Sequence, residues 1–598
     1  MSSFDGAANT RAAKTFVQAF HGVAAGVPDR VGVRSFDGSL SLTWGQVRAR
    51  ADAIAGGLAK LGVGRGDTVA LMLSNRPEFH LADLGVMTTG AAPFSIYQTL
   101  PPESIEYVVG DAGARVAIIE RAFFEPFMKA RQNLAGLEHV IVIDGEGEHD
   151  TRTLAEIEGS NPGFDAEASA AAIEEHDLIT LIYTSGTTGP PKGVQLDHAN
   201  LMASAELFSQ VIQVPDGPRV ISWLPTAHIA ERAANYYLPL GYGGTITTLD
   251  NPRNIIQALP AVKPHFFFAV PRIWEKMKAG IETQLEGLPD EQRELAKKAI
   301  AAGVQRVRLE QAGQPVPKDL ADVCERADVE LFSKLRGLLG LDEAASINTG
   351  AAPTSVHVLE FFHAIGLELS EVWGMSETTG AGTTNPPGRA RIGTVGPPAP
   401  GVEIRLDGDG EILIRGDVVM KGYRNLPDKT KEAFTDDGWL RTGDVGEFDD
   451  HGYLKIVDRK KELIINAAGK NMSPSNIESK LKGASPFIGQ ACTIGDARPY
   501  NTALLVLDAD YAPSWAAQQG IEDTSLEALA GNEAVLAQVE AGVDRANEAL
   551  ARVEQIKKFH VVRGDWLPGG DELTPTMKLK RKPIAQKYAR EIERMYEG

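Results

Sequence analysis

Cysteine is scarce in this chain of 598 residues: only Cys324 and Cys492 are present. Two thiols exclude a disulfide scaffold and a four-cysteine zinc site, and they suit a reducing cytosol. No stretch approaches the ~18 consecutive apolar residues of a spanning helix. The opening MSSFDGAANTRAAKTF lacks the apolar region of a signal peptide. A cytoplasmic location is expected, with peripheral contact at the inner face of the membrane left open. An excess of basic residues is also missing: Lys and Arg total 60 against 80 Asp and Glu, a formal charge of −20. That argues against a nucleic-acid partner. There is no short internal repeat and no low-complexity block.

What is present has the length for several domains. The first half repeats helix then strand. In TWGQVRARADAIAGGLAKLG, residues Val47, Ala51, Ile54 and Leu58 share one helical face, and TVALMLSN follows as a strand. Alternation of this kind predicts parallel sheets covered by helices. From about 275 to 340 the pattern becomes amphipathic helices without strands. Between 390 and 457, short β-like pieces with Gly and Asp turns predict a small barrel or mixed sheet. Beyond Asp458 an α+β pattern begins. The expected class is α/β, with a large N-terminal domain over 1–457 and a smaller, mobile α+β domain over 458–598. The first would hold two helix-covered sheets, a small β-barrel and the helical insert.

Tyr183 to Gly189 is too densely punctuated by glycine and hydroxyl residues for a helix or regular strand. Exposed N–H groups, hydroxyls and the Lys192 cation suit phosphate oxygens. The alternative is a structural turn. A Walker A loop is excluded, because Pro191 precedes Lys192 and Gly193 follows it.

YTSGTTGPPKG closely resembles the signature loop of the adenylate-forming superfamily, which holds acyl-CoA synthetases, firefly luciferase and peptide-synthetase adenylation domains. SWLPTAHIAER, PRIWEKM, NTGAAP, EVWGMSETTG, RTGDVGEFDDHGYLKIVDRKKELI and LTPTMKLKRK follow in that family's order, so the resemblance spans roughly 30 to 590. HIAER, PRIWEKM, the helical insert and DRKKELI look most like long-chain fatty acyl-CoA synthetases.

The resemblance implies the site. Thr184, Ser185, Gly186, Thr187, Thr188 and Gly189 with Lys192 would hold ATP phosphates. Glu377 and Thr184 would ligate Mg2+. Gly350, Ala351, Ala352, Gly374 and Ser376 would line the nucleotide, with Ser376 replacing a usual threonine. Trp373 stands where many relatives carry a tyrosine beside adenine. Asp444 would accept from both ribose hydroxyls, an acceptor-only group suiting a diol. Arg459 and Lys461 follow the hinge position, Asp458. Trp223 and His228 would line the acyl pocket, with His228 gating or packing rather than acting as a general base. The family's last motif reads P-x-T-x-x-G-K. Counting four from Thr576 reaches Lys580 as the catalytic lysine, with Leu579 in the glycine's place and Lys578 two residues before it. Glu377 is the second expected catalytic residue. Lys578, Lys580, Arg581 and Lys582 also cluster as a basic surface that would touch acidic lipid.

The expected reaction is that of a long-chain fatty acid–CoA ligase, with fatty acid, ATP and coenzyme A as partners and Mg2+ as cofactor. A homodimer is left open. The nearest alternative is a fatty acyl-AMP ligase that loads a carrier protein. The short run from Val445 to Asp458 leaves little room for the extra insertion such relatives carry near the hinge.

Overall fold

The structure is a computed structural model that describes residues 4–147, 150–184, 190–212, 214–467 and 470–597. Helix Trp44–Lys60 buries Val47, Ala51, Ile54 and Leu58, and a capping box between Thr43 and Gln46 fixes its start. The strand that follows, Thr68–Met72, is buried along its length. It lies inside a five-stranded parallel sheet between Ala92–Ser95 and Val116–Ile119, which continues to His139–Val142 and Arg152–Thr153. A sheet covered on both faces reads as continuous apolar runs, as VALM and VAII do here.

Two further sheets are parallel except at one edge. One joins Arg219–Ser222, Thr245–Thr248 and Val31–Ser35. The other joins Phe266–Ala269, Ser346–Thr349 and Leu369–Trp373. Strands Leu178–Thr184 and Lys192–Asp197 form a hairpin whose second strand also pairs with Gly422–Tyr423. The carboxyl ends of these strands lead into Trp223, Gly350 and Gly374, and that end of an open α/β sheet is where ligands bind.

Residues 271–339 are helical: Pro271–Glu286, Asp290–Gln311, Lys318–Ala327 and Ser333–Leu339, with a π-turn over Asp328–Phe332. The first buries Trp274, Met277, Ile281 and Leu285. The second lies against helix Val356–Ala364, where a Cβ on Gly303 would sit 2.8 Å from the Ala364 carbonyl. The expected small barrel is a four-stranded antiparallel sheet of Glu403–Leu406, Glu411–Arg415, Leu440–Phe448 and Leu454–Arg459. It stays an open half-barrel; its last strand is met at Leu454 by a single bridge from Gly396.

That last strand continues two residues past 457, because Asp458 and Arg459 pair with Val445 and Asp444. Beyond it, Ile488–Ile494, Asn501–Leu507 and Ile556–Val561 form a three-stranded mixed sheet under helices. Among the described residues no hydrophobic cluster crosses residue 458: one set ends at Ile456 and the next begins at Ile464. Polar contacts do cross. Arg272 pairs with Asp508, and Lys276 Nζ lies 2.5 Å from Asp510 Oδ2.

Candidate active site

The hairpin sets the first pair of groups. Thr184 closes it, its hydroxyl donating to the Lys192 carbonyl at 3.4 Å. The loop residues Ser185, Gly186, Thr187, Thr188 and Gly189 lie outside the described residues. Lys192 emerges from the strand that pairs with Gly422–Tyr423, and its ammonium stands 3.9 Å from the centre of the Tyr423 ring. Burial lowers the Lys192 pKa; Glu377 opposes that shift, and Lys461 and Lys429 add to it. The Tyr423 hydroxyl donates to Glu377 Oε1 at 2.8 Å. Burial and that carboxylate raise the phenol's pKa, so it stays a donor. Lys192, Tyr423 and Glu377 thus form one cation–ring–carboxylate line. Sequence reasoning missed Tyr423, since nothing in GYRN marks it; only the strand pairing brings it in.

Glu377 sits in the short turn Ser376–Thr378 and is buried. Among the described residues no group of three or more His, Cys, Asp or Glu gathers as a metal cage. One carboxylate and the Thr184 hydroxyl suit a hard cation that keeps waters and takes phosphate oxygens as its other ligands, so the donor set fits Mg2+.

Gly350 is buried at the end of Ser346–Thr349, where a Cβ would meet the Val372 carbonyl at 3.0 Å. Ala351 and Ala352 are exposed beside it, and Ala351 has a left-handed φ of 67°. Gly374 is also exposed, with the Gly380 carbonyl 2.4 Å from where its Cβ would stand. Trp373 ends its strand and donates its indole N–H to Asp444 Oδ2 at 2.8 Å. Arg459 Nε lies 3.4 Å from Asp444 Oδ1. Burial raises the Asp444 pKa, opposed by Arg459, Trp373 and Lys578. Lys461 is exposed. Asp458 is fully engaged: it accepts from Ser473 Oγ (2.6 Å), Ser475 Oγ (3.0 Å) and the N–H groups of Arg459 and Ser475, tying the strand end to helix Pro474–Ala484.

The expected catalytic lysine, Lys580, is engaged within its own segment. Its ammonium donates to the Gly570 carbonyl at 2.8 Å. Lys578 is the half-buried lysine on which Arg459, Asp444, Glu377 and Glu462 act; burial lowers its pKa. Counted from Thr574 instead of Thr576, the family motif reaches Lys578. Thr574 Oγ1 accepts the Lys578 N–H at 3.0 Å, and Met577 stands in the glycine's place with a left-handed φ of 64°. The expected basic surface is also reduced, because Arg581 grips both oxygens of Glu478 at 2.7 and 2.8 Å.

Around the expected acyl pocket, Trp223 is buried and stacks on Phe267. His228 is half-buried, with Nδ1 accepting the Ala230 N–H at 3.1 Å. Burial, helped by the Lys578 charge, lowers its pKa to about 4. Its loop is held from the π-helical stretch Glu231–Tyr237. Glu231 Oε2 accepts the Leu224 N–H at 3.0 Å and the Asn235 amide at 2.7 Å. Arg232 donates to the Thr226 carbonyl at 3.1 Å and pairs with Asp83 at 2.8 Å, both side chains fully buried. Burial pushes the Glu231 pKa up to about 7. The signal for these two was present in HIAER as adjacent charges in an apolar setting, but no partner was readable.

Comparisons with known proteins bear on the family and the fold of the whole chain. The family model described as AMP-binding enzyme matches residues 20–424, and the AMP-binding enzyme C-terminal domain matches 461–598. The "Putative fatty-acid--CoA ligase fadD11" of Mycobacterium tuberculosis is 48% identical over 434 residues, 72% of this chain and 76% of the relative. The "Long-chain-fatty-acid--CoA ligase FadD15" of Mycobacterium bovis is 34% identical over 565 residues, 91% of this chain and 90% of the relative. The crystal structure of the anthranilate CoA ligase AuaEII with anthranoyl-AMP shares the fold at a TM-score of 0.73 and 20% identity, covering 96% of this chain and 97% of that one. Two matched domains and relatives alike along most of their length lead to one conclusion: this chain belongs to the adenylate-forming family of AMP-binding enzymes.

Proposed function

We propose that the protein is an AMP-forming long-chain fatty acid–CoA ligase. A carboxylate oxygen of the fatty acid attacks the α-phosphorus of ATP, the bond to pyrophosphate breaks, and acyl-AMP forms. The thiol of coenzyme A, losing its proton, then attacks the acyl carbon and AMP leaves. The observation that carries this reading is the line from Lys192 over Tyr423 to Glu377, together with Asp444 held between Trp373 and Arg459. Similarity to the long-chain ligases over nine tenths of the chain supports the substrate class.

The first step brings two anions together, so its barrier is lowered by cations and donors already in position. Lys192 and the loop before it hold phosphate oxygens. Asp444 accepts from the ribose hydroxyls. Lys578 steadies the charge that develops between carboxylate and α-phosphate. Glu377 and Thr184 would hold a Mg2+ ion, which would supply positive charge to the ATP phosphates. His228, with its pKa near 4, is neutral at pH 7 and packs beside the acyl chain. A peripheral membrane contact would fall on the helical region, which exposes Leu295, Val329 and Leu338; vesicle co-sedimentation tests it.

Incubation with ATP, coenzyme A and a panel of acids from short to very long chains tests the reading. AMP, pyrophosphate and acyl-CoA are expected, with the highest kcat/KM for long acids. Formation of ADP, or acyl-AMP that passes to a carrier protein but not to coenzyme A, would replace it. Asp444→Ala should weaken ATP binding, since charge-assisted hydrogen bonds of roughly 1.5–3 kcal/mol each are lost.

A further inference from the structure

The reading above gives Asp444 the ribose, and the inference here rests on it. Trp373 and Asp444 are 71 residues apart, yet the indole N–H donates to Asp444 Oδ2 at 2.8 Å in a buried setting. An indole is a donor only, with one N–H. Its bond therefore fixes the roll of the carboxylate. Oδ2 turns toward the tryptophan, and Oδ1 toward Arg459, 3.4 Å away.

The indole is itself locked. Trp373 pairs with Thr383 across the sheet edge. A Cβ on Gly382 would stand 2.8 Å from the indole Cε3, so the ring lies on backbone that only a glycine leaves bare. Asp444 is anchored from below, its own N–H donating to Thr442 Oγ1 at 3.1 Å. Two rigid strands thus present one carboxylate in one orientation. A phenylalanine would keep a flat ring but lacks the donor.

We infer that Trp373 is a positioning residue for ribose selection: its N–H orients Asp444, and discrimination between ATP and deoxy-ATP runs through that bond. Stacking on the base alone predicts something different. A ring that only stacks treats ribose and deoxyribose nucleotides alike.

The test is calorimetric binding of ATP, 2′-deoxy-ATP and 3′-deoxy-ATP to the full-length chain without fatty acid. The proteins are wild type, Trp373→Phe, Trp373→Tyr, Asp444→Ala and Trp373→Phe/Asp444→Ala. Tyrosine is included because relatives carry it at this position, which guards against a phenylalanine variant that fails to fold. Wild type should prefer ATP; Trp373→Phe should narrow that preference on the order of tenfold, the effect of one hydrogen bond to a charged group, and Trp373→Tyr, whose hydroxyl is also a donor, should narrow it less. In the double variant, removing Trp373 should narrow it no further than Asp444→Ala does. Equal weakening of ATP and both deoxy analogues by Trp373→Phe and Trp373→Tyr would overturn the inference and leave the indole as a stacking surface. Wild-type binding of ATP without ribose preference would also overturn it, while leaving the nucleotide site standing. Failure of wild type to bind any of the three would bring down the functional reading itself.

Discussion

Lys580 and Gly570 are joined by a 2.8 Å hydrogen bond from ammonium to carbonyl oxygen. That bond commits Lys580 within the C-terminal part, while Lys578 feels the charges of Arg459, Asp444, Glu377 and Glu462. Lys578→Ala should slow acyl-AMP formation by roughly 10²–10³, the usual loss for one preorganised charge contact. Supplied acyl-AMP and coenzyme A should still react at near wild-type rate. Lys580→Ala should leave adenylation within about threefold. Rapid-quench measurement of each half-reaction decides between them; the opposite pattern would return the motif to Thr576.

Arg232 and Asp83 form a fully buried pair that also holds the loop carrying His228. Arg232→Met leaves a carboxylate buried and unpaired. A loss of ~3–5 kcal/mol in stability is expected, and the double variant Asp83→Leu/Arg232→Met should recover most of it. Urea unfolding of the three proteins measures this. Little change in Arg232→Met would mean that water reaches the site.

Glu231 gives a pH dependence of known sign. Its pKa is raised from 4.5 to about 7 in the fold, with burial as the main cause. The folded protein therefore holds a proton that the unfolded chain has lost above 4.5. That contribution is complete below 4.5 and disappears as pH rises through 7. Glu231→Gln mimics the protonated form and removes it. The stability difference between wild type and variant should shift against wild type by about 2–3 kcal/mol between pH 5 and pH 8. His80 and His198, lowered to about 3 and about 4, run in the opposite direction. They are present in both proteins and cancel.

Arg272–Asp508 and Lys276–Asp510 are the charge pairs that link the helical region to the C-terminal part. Lys276 and Asp510 are partly exposed, so salt screens them. Lys276→Ala should lower the pyrophosphate burst by about threefold at low salt. High salt should slow wild type toward the variant and leave the variant unchanged. A variant whose burst matches wild type at low salt would show that these pairs do not hold Lys578 in place.

The sequence by itself determined the elements and the list of chemical groups. Residues Val47, Ala51, Ile54 and Leu58 could only be one buried helical face, because their spacing repeats the helical turn. The apolar runs could only be strands covered on both sides. The glycine and hydroxyl loop, Lys192, Glu377, Asp444 and the lysines near the end could be listed from order along the chain alone.

The tertiary structure decided which groups meet. Two lysines at i and i+2 share a face of an extended chain, so alternation could not choose between Lys578 and Lys580. The choice came from the left-handed turn at Met577, the Thr574 cap and the Gly570 carbonyl. Tyr423 joined Glu377 through strand pairing, Arg232 found Asp83 across 149 residues, and Trp373 found Asp444 across 71. Each of these contacts links groups distant in sequence in a buried setting. There a polar group must take whichever partner the packing supplies, and local pattern carries no record of that partner.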